Sequence, residues 1–300
     1  MKDTPANAPA DATPADLQPG VLTEYLTEDT GIFVRSERDF EHFQSPFQTV
    51  EVHGTKTFGT LFRLDGHFMT SERDEFFYHE TMVHVAAIAH PAPETALIIG
   101  GGDGGSAEEL LKHPTMKSVT LVEIDLAVID IARKYLGNVH RGALSDPRVH
   151  IHIEDGLAFV RSSTATYDLI ILDLTDPGGP SESLYSADFY RACAARLNPS
   201  GAMTLQLGSP IAHPTRIRAS IADLRAAFPL VIPYLVPIPL YGGLWMLGCA
   251  SASLNPAYLT PLEADRRIAQ RRIGSLQYYN GDVHRATMAL PNFVRDLVGT

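Results

Sequence analysis

The sequence predicts an α/β protein: a doubly wound parallel sheet with both faces covered, preceded by a small antiparallel β-domain. Three observations predict it. From about Phe76 onward, short apolar runs alternate with helical stretches, the rhythm of a parallel sheet flanked by helices. The run Ala96-Leu97-Ile98-Ile99 leads into Gly100-Gly101-Gly102-Asp103-Gly104-Gly105, which reads as a strand, a tight turn and the start of a helix. The segment from about Val21 to Glu75 reads as β-rich. The expected organisation is a disordered tail over 1–20, an N-terminal β-domain over 21–75 and an α/β domain over 76–300.

The first 20 residues are mostly Ala, Pro, Asp and Thr, with little to bury. Phe47 to His53 has strand character before Gly54, and Thr57 to Leu64 runs into Asp65-Gly66, a hairpin-type turn. Tyr78 to Ala89 is a helix candidate, and Ser106 to Lys112 follows the glycine turn as another. Val119 to Ile124 is the next strand; Asp125 then caps a helix to Leu136 that Gly137 ends. Val149 to Ile153 and Tyr167 to Leu172 are strands, the second ending at Asp173. A helix from Asp188 to Leu197 stops at Asn198-Pro199-Ser200-Gly201, a strand covers Met203 to Leu207, and a helix covers Thr215 to Phe228. Ala226 to Leu262 is uncharged once past Arg225 but is broken by Pro229, Pro233, Pro237, Pro239, Gly242 and Gly243. Buried strands joined by a Pro/Gly-rich loop fit it better than a spanning helix.

Composition narrows the function classes. The 300 residues, 45% of them hydrophobic, suit one or two globular domains. A net charge of −11 argues against a nucleic-acid binder, which needs a basic face, and suits a protein that attracts small cations. The two cysteines, Cys193 and Cys249, have no metal-ligand spacing and no disulfide framework. Buried, reduced thiols in a cytoplasmic protein are expected, and the chain opens on no basic stretch with an apolar core that would read as a signal peptide.

Four acids stand at the ends of consecutive expected strands, Asp103, Glu123, Asp155 and Asp173, and Asp176 follows three residues later. Any one of them could be a turn former or helix cap, but five on one edge repel one another and call for a compensating ligand. Gly100, Gly102 and Gly105 satisfy G-x-G-x-x-G, yet Asp103 within the turn would repel a pyrophosphate on the helix N-terminus. The loop is therefore read as built for a nucleoside whose reactive end is positive. Glu123 lies about 20 residues past the turn, where a carboxylate accepts ribose hydroxyls. Asp155 could accept from an exocyclic amine of a base, and Asp103, Asp173 and Asp176 would face the cationic end.

Zinc is rejected: His79 and His84 lie five apart, about 140° around a helix rather than on one face. His150 and His152 share one side of a strand with no third ligand evident. The stretch from Pro177 to Ser183 suits a gate over the site and suits a mobile turn equally well.

Together these residues resemble the polyamine aminopropyltransferases, the spermidine synthase family. The resemblance runs in order through Ser45-Pro46-Phe47-Gln48, Leu64-Asp65-Gly66, Glu72-Arg73-Asp74-Glu75-Phe76, Tyr78-His79-Glu80 and the glycine turn. It continues through Val122-Glu123-Ile124-Asp125, Asp146-Pro147-Arg148-Val149, Asp155-Gly156, and Asp173-Leu174-Thr175-Asp176-Pro177 to Glu182-Ser183-Leu184. It closes on Tyr278-Tyr279-Asn280, Val283-His284-Arg285 and Ala289-Leu290-Pro291-Asn292-Phe293.

The resemblance implies a Rossmann-like, class I methyltransferase-type domain behind the β-domain, and a homodimer or homotetramer. It implies decarboxylated S-adenosylmethionine as aminopropyl donor, 5′-methylthioadenosine as by-product, a small cationic polyamine as acceptor, and no metal. By position, Gln48, Glu123, Asp155, Gly156 and Pro180 would hold the methylthioadenosine part, with Gly100 and Gly102 of the turn beside it. His79, Asp103 and Asp176 would line the amine path, with Tyr78, Tyr241 and Gln206 nearby, and Asp173 would accept the proton. Asp103 suits the donor's ammonium and would repel the carboxylate of ordinary S-adenosylmethionine.

The chain departs from the family pattern at several places. Tyr25-Leu26-Thr27-Glu28 stands where a tryptophan is common, and Met69 where a glutamine is. Gln206-Leu207-Gly208-Ser209 lacks a usual carboxylate, Tyr241-Gly242-Gly243-Leu244-Trp245 is a shortened loop, and Asp173-Leu174-Thr175-Asp176 replaces Asp-Ser-Ser-Asp. These changes gather at the acceptor end, so the donor follows more directly than putrescine. Two other readings remain: an S-adenosylmethionine-dependent amine N-methyltransferase, which Asp103 disfavours, and a non-catalytic nucleoside or polyamine binder.

Overall fold

A computed structural model describes residues 20–177 and 179–299; apart from Gly20, the expected tail lies outside them. Five strands form the first sheet in sequence order, each antiparallel to the next: β1 (Val21–Tyr25), β2 (Gly31–Gln44), β3 (Thr49–Thr55), β4 (Gly59–Leu64) and β5 (His67–Ser71). Asp65 and Gly66 join β4 to β5 with φ of 49° and 80°, the paired positive values that a two-residue hairpin needs to match strand twist.

The second sheet holds β6 (Thr95–Gly100), β7 (Ser118–Glu123), β8 (Val149–Ile153), β9 (Tyr167–Asp173), β10 (Leu197–Gly208), β11 (Leu230–Ile238) and β12 (Gly243–Ser251), in the order β11-β12-β10-β9-β6-β7-β8. Ten helices accompany the strands among the described residues. The first five are α1 (Glu75–Ala89), α2 (Gly105–Leu111), α3 (Leu126–Tyr135), α4 (Gly137–His140) and α5 (Gly156–Ser162). The others are α6 (Ala187–Ala194), α7 (Pro214–Ala227), α8 (Pro261–Arg271), α9 (Gly281–Thr287) and α10 (Asn292–Val298).

The apolar runs of the central strands serve two cores. Ile98, Leu121 and Ile171 join one core with Met82, Val85 and Ile129 of α1 and α3. Their neighbours Ile99, Val122 and Leu172 point the other way, into a core with Phe189, Ile217 and Leu224 of α6 and α7. A strand buried on both faces must be apolar throughout, which is why these segments show no alternation. The chain leaves β6 toward β7 and β8, then returns to build β9 and β10 on the other side. The carboxyl ends of β6 and β9 therefore flank a switch point, where such sheets leave a crevice.

The structure corrects four expectations. The sheet is not wholly parallel: β12 pairs antiparallel with both β10 and β11, because only the short 3₁₀ turn Pro239–Tyr241 joins β11 to β12, too little chain for a crossover. Gly137 opens the short α4 rather than simply ending a helix. The helix expected to reach Leu197 stops at Ala194, and β10 begins at Leu197, with the Pro199–Gly201 stretch absorbed as a register shift between Leu197 and Ala202. Helix α1 starts at Glu75, three residues before its expected start. Helices α8 to α10 had no counterpart in the sequence reading.

Among the described residues, no helix is long and apolar enough to cross a membrane. Cys193 and Cys249 are buried and unbridged.

Candidate active site

The glycine turn closes over the end of β6, with Gly100, Gly101 and Gly104 at positive φ. It floors a pocket of about 920 Å³. Both sheets contribute walls: Phe62 and Leu64 of β4 from the first, with Gln48 from its β2–β3 loop, and the ends of β6, β7 and β9 from the second. Tyr78, His79, Gly100, Gly102, Asp103, Glu123, Asp155, Gly156, Asp173 and Tyr241 all line it. Pro180 belongs to the 3₁₀ stretch Gly179–Leu184; its side chain lies outside the described part of the structure.

Asp173 sits at the last position of β9. Tyr78 Oη donates to its Oδ1 at 2.9 Å and Ser106 Oγ to its Oδ2 at 2.7 Å. Burial pushes the Asp173 carboxyl above its usual range and the charge of Asp103 pushes it further, while His79, Ser106 and Tyr78 pull the other way. The carboxylate is thus held by neutral donors and made more basic than an ordinary one.

Asp103 faces it from the turn. Its Oδ1 accepts from Gly105 N at 3.0 Å, and its Oδ2 lies 3.4 Å from His79 Nε2. The other ring nitrogen, Nδ1, is 2.8 Å from Glu75 Oε2, and Glu75 Oε1 accepts from Arg141 Nη2 at 2.8 Å. Burial works against a charge on His79, but Asp103 and Glu75 overcome it and hold the ring protonated well above the usual histidine range. Burial likewise raises the Asp103 carboxyl, and the His79 charge more than offsets this, leaving it below the usual value. The close approach is built into the sequence at Gly105, where a β-carbon would overlap the His79 ring.

One donor atom each from His79, Asp103 and Asp173 lies within 4.8 Å of the others. His79 has an acidic partner on each ring nitrogen, Glu75 on one and Asp103 on the other, and Asp103 and Asp173 bring two carboxylates to one place. His84, the other histidine of α1, faces Glu109 at 2.9 Å and His113 at 3.1 Å, away from this cluster.

The far end of the pocket is less charged. Glu123 ends β7, and burial pushes its carboxyl up to about 7, although Asp125 N donates to Oε1 at 3.0 Å. Asp155 caps α5, its Oδ1 accepting from Ala158 N at 2.7 Å, so the capping and pocket-lining readings both hold for this residue. Gln48 Nε2 donates to Asp125 Oδ2 at 3.0 Å, and Ser45 Oγ donates to the same oxygen at 2.6 Å, tying the first sheet to the start of α3.

A second pocket of about 450 Å³ adjoins the first and shares Met69, Tyr78, Leu174, Thr175 and Tyr241 with it. Asp176 and Gln206 lie here, not beside Asp103. Gln206 Nε2 donates to Asp176 Oδ1 and to Tyr185 Oη, both at 2.9 Å, and Trp245 Nε1 donates to Gln206 Oε1 at 3.2 Å. Tyr78 and Tyr241 form the neck, with ring centroids 6.1 Å apart. The exposed His150 and His152 line neither pocket.

Sequence reasoning missed Ser106, Glu75, Glu24 and Arg216. Ser106 directly follows the glycine turn and Glu75 stands four residues before His79, so both left a local signal. Glu24 lines the second pocket and Arg216 pairs with its Asp176, each from a distant element, and neither left a signal.

Comparison with known proteins follows the same lines. Residues 75–258 match the spermine/spermidine synthase domain. A polyamine aminopropyltransferase of Nitrosomonas europaea is 46% identical over 95% of this chain and 88% of its own. One of Moorella thermoacetica is 42% identical over 92% of this chain and 95% of its own. A crystal structure of spermidine synthase in complex with the transition-state analogue AdoDATO superposes with a TM-score of 0.88 at 36% identity, covering 94% of this chain and 96% of the other. Spermidine synthase from Thermotoga maritima gives 0.85 at 35% identity, covering 94% and 95%.

Proposed function

This chain belongs to the spermine/spermidine synthase family, and from that premise we propose how its two joined pockets divide the work of an aminopropyl transfer. The protein is a polyamine aminopropyltransferase: it moves the aminopropyl group of decarboxylated S-adenosylmethionine to putrescine or a related polyamine, giving spermidine or a homologue and 5′-methylthioadenosine. The observation that carries the assignment of residues is the facing pair Asp103 and Asp173, with ligand atoms within 4.8 Å, in a nucleoside-sized pocket that a narrower one joins at Tyr78, the partner of Asp173.

In this reading the nucleoside lies in the larger pocket, with Glu123 on the ribose, Asp155 on the base, and Gln48, Gly100, Gly102, Gly156 and Pro180 around it. Asp103 takes the ammonium of the donor's propyl arm. The acceptor enters the second pocket, passes Tyr78 and Tyr241, and brings one nitrogen to Asp173.

A free amine of this kind is protonated in water, with a lysine-like pKa of about 10.4. The raised pKa of Asp173 narrows the gap for proton transfer. Once the nitrogen has lost a proton to Asp173, its lone pair attacks the carbon next to sulfur. The new C–N bond forms as the C–S bond breaks, and the bonding pair leaves on sulfur, which becomes neutral. The sulfonium is its own good leaving group, so the step needs positioning and no metal.

The division near residue 75 into a β-domain and a catalytic domain is part of the same proposal. So is a homodimer or homotetramer, which the exposed Tyr25 (60%) and Phe33 (65%) of the β1–β2 hairpin support. A cytoplasmic location suits a biosynthetic enzyme with two unbridged cysteines.

The test is incubation with decarboxylated or ordinary S-adenosylmethionine and a panel of diamines, with products identified by mass. Aminopropyl gain with release of methylthioadenosine is expected. Methyl gain, or no methylthioadenosine with any amine, would overturn the reading.

A further inference from the structure

Asp176 lines the second pocket, and its charge is already answered. Gln206 Nε2 occupies Oδ1, and Arg216 Nη1 pairs with Oδ2 at 2.9 Å. Arg216 reaches it from α7 past Gly208. A β-carbon at Gly208 would overlap Arg216 Nη2, and the backbone there has a φ of +98°, which disfavours any other residue. Arg216 Nη2 also donates to His213 Nδ1 at 3.1 Å. Burial and the Arg216 charge hold His213 below its usual pKa, so its lone pair is available to accept.

The other acid of this pocket is paired as well: Glu24 Oε1 lies 3.1 Å from His67 Nδ1, and Glu24 Oε2 accepts from Phe68 N at 2.6 Å. Near the Glu24 hydrogen bond, His67 is held above its usual pKa. The two ends of the acceptor path therefore differ. Asp173 is held directly by the neutral hydroxyls of Tyr78 and Ser106, with no basic group hydrogen-bonded to it among the described residues. Asp176 and Glu24 each carry a basic partner.

We propose that Arg216 sets acceptor selectivity: by neutralising Asp176 it removes most of the reward for a second ammonium, so the site takes acceptors with one reactive amine and an uncharged far end nearly as well as diamines. A second ammonium entering this pocket gives up hydration and meets a carboxylate already paired with a guanidinium, so Asp176 contributes little net attraction. The inference rests on the aminopropyl-transfer reading and adds the chemical class of acceptor to it.

The experiment compares kcat/KM for 1,4-diaminobutane with that for 4-amino-1-butanol, which has the same length and reactive amine but a neutral far end. Decarboxylated S-adenosylmethionine is the donor for both. In the unmodified protein the ratio is expected to lie within about tenfold of unity, and Arg216→Gln should raise it by a further ~10-fold as Asp176 is freed. Arg216→Lys keeps the charge and should leave the ratio near its starting value. Each ratio is internal to one protein, so partial misfolding cancels. A ratio above a hundredfold in the unmodified protein overturns the inference without any variant. So does an unchanged or lower ratio in Arg216→Gln, which would mean that Arg216 merely orients Asp176. If the unmodified protein releases no methylthioadenosine with either amine, the transfer reading itself fails and takes this inference with it.

Discussion

Ser106 Oγ lies 2.7 Å from Asp173 Oδ2, so the first turn of α2 fixes the carboxylate that ends β9. The contact joins the helix that follows β6 to the end of β9, the two strands that flank the switch point of the sheet. Tyr78 of α1 takes the other oxygen at 2.9 Å. Both donors are neutral, so they orient Asp173 without cancelling its charge. Burial and Asp103 then raise its pKa, which makes a carboxylate a better partner for an amine proton.

Asp173→Asn keeps the shape of the site and removes the proton acceptor. Turnover should fall by roughly 10²- to 10⁴-fold, the usual worth of a positioned general base. Binding of methylthioadenosine, measured by calorimetry, should stay within about threefold, since the nucleoside pocket is unchanged. Retained turnover would remove Asp173 from the role of base.

Ser106→Ala removes a hydrogen bond that favours the ionised form of Asp173. The carboxyl pKa should rise further, because loss of a donor to the charged state penalises that state. Asp173 works when ionised, so activity is lost as pH falls through its folded pKa. The acid limb of the kcat/KM profile should therefore move to higher pH in this variant, with a smaller change in rate on the alkaline side. A purely structural role for Ser106 would lower the whole profile without moving the limb.

Gly105→Ala sets a β-carbon against the His79 ring, which Glu75 and Asp103 hold on both sides. Alanine gains up to ~1 kcal/mol in helix propensity over glycine. The ring cannot shift without breaking one of its ion pairs, so overpacking of ~1–3 kcal/mol should win. Urea unfolding should show a lower midpoint at unchanged slope. A higher midpoint would mean that His79 is free to move.

Much of this site was legible because its residues sit at local boundaries. The glycine turn, the acids ending β6, β7 and β9, and the Asp65-Gly66 hairpin each announce themselves within a few residues. The paired role of His79 was only half legible: Glu75 stands one helical turn before it, but Asp103 comes from another element. Arg216 was not legible at all, since its meeting with Asp176 depends on the path of β10 past Gly208. The antiparallel β12 and the start of β10 at Leu197 escaped for a related reason. Both are decided by which neighbour a strand finds, and the apolar runs alone do not state it.

Glu123 offers a test in solution that needs no turnover. Its carboxyl is pushed up to about 7 by burial, so near neutral pH the free protein holds it partly protonated. Ribose hydroxyls donate to the ionised form, so binding should lower the pKa and expel a proton. Methylthioadenosine affinity should therefore rise as pH increases from 6 toward 8 and level off once Glu123 is ionised in the free protein. The proton itself can be counted by calorimetry near pH 7 in two buffers of different ionisation enthalpy, with a fraction of one proton released per ligand. Glu123→Gln should abolish both the release and the pH dependence, because its amide does not titrate. Proton uptake, or a release that survives this substitution, would show that the ribose is held by another group.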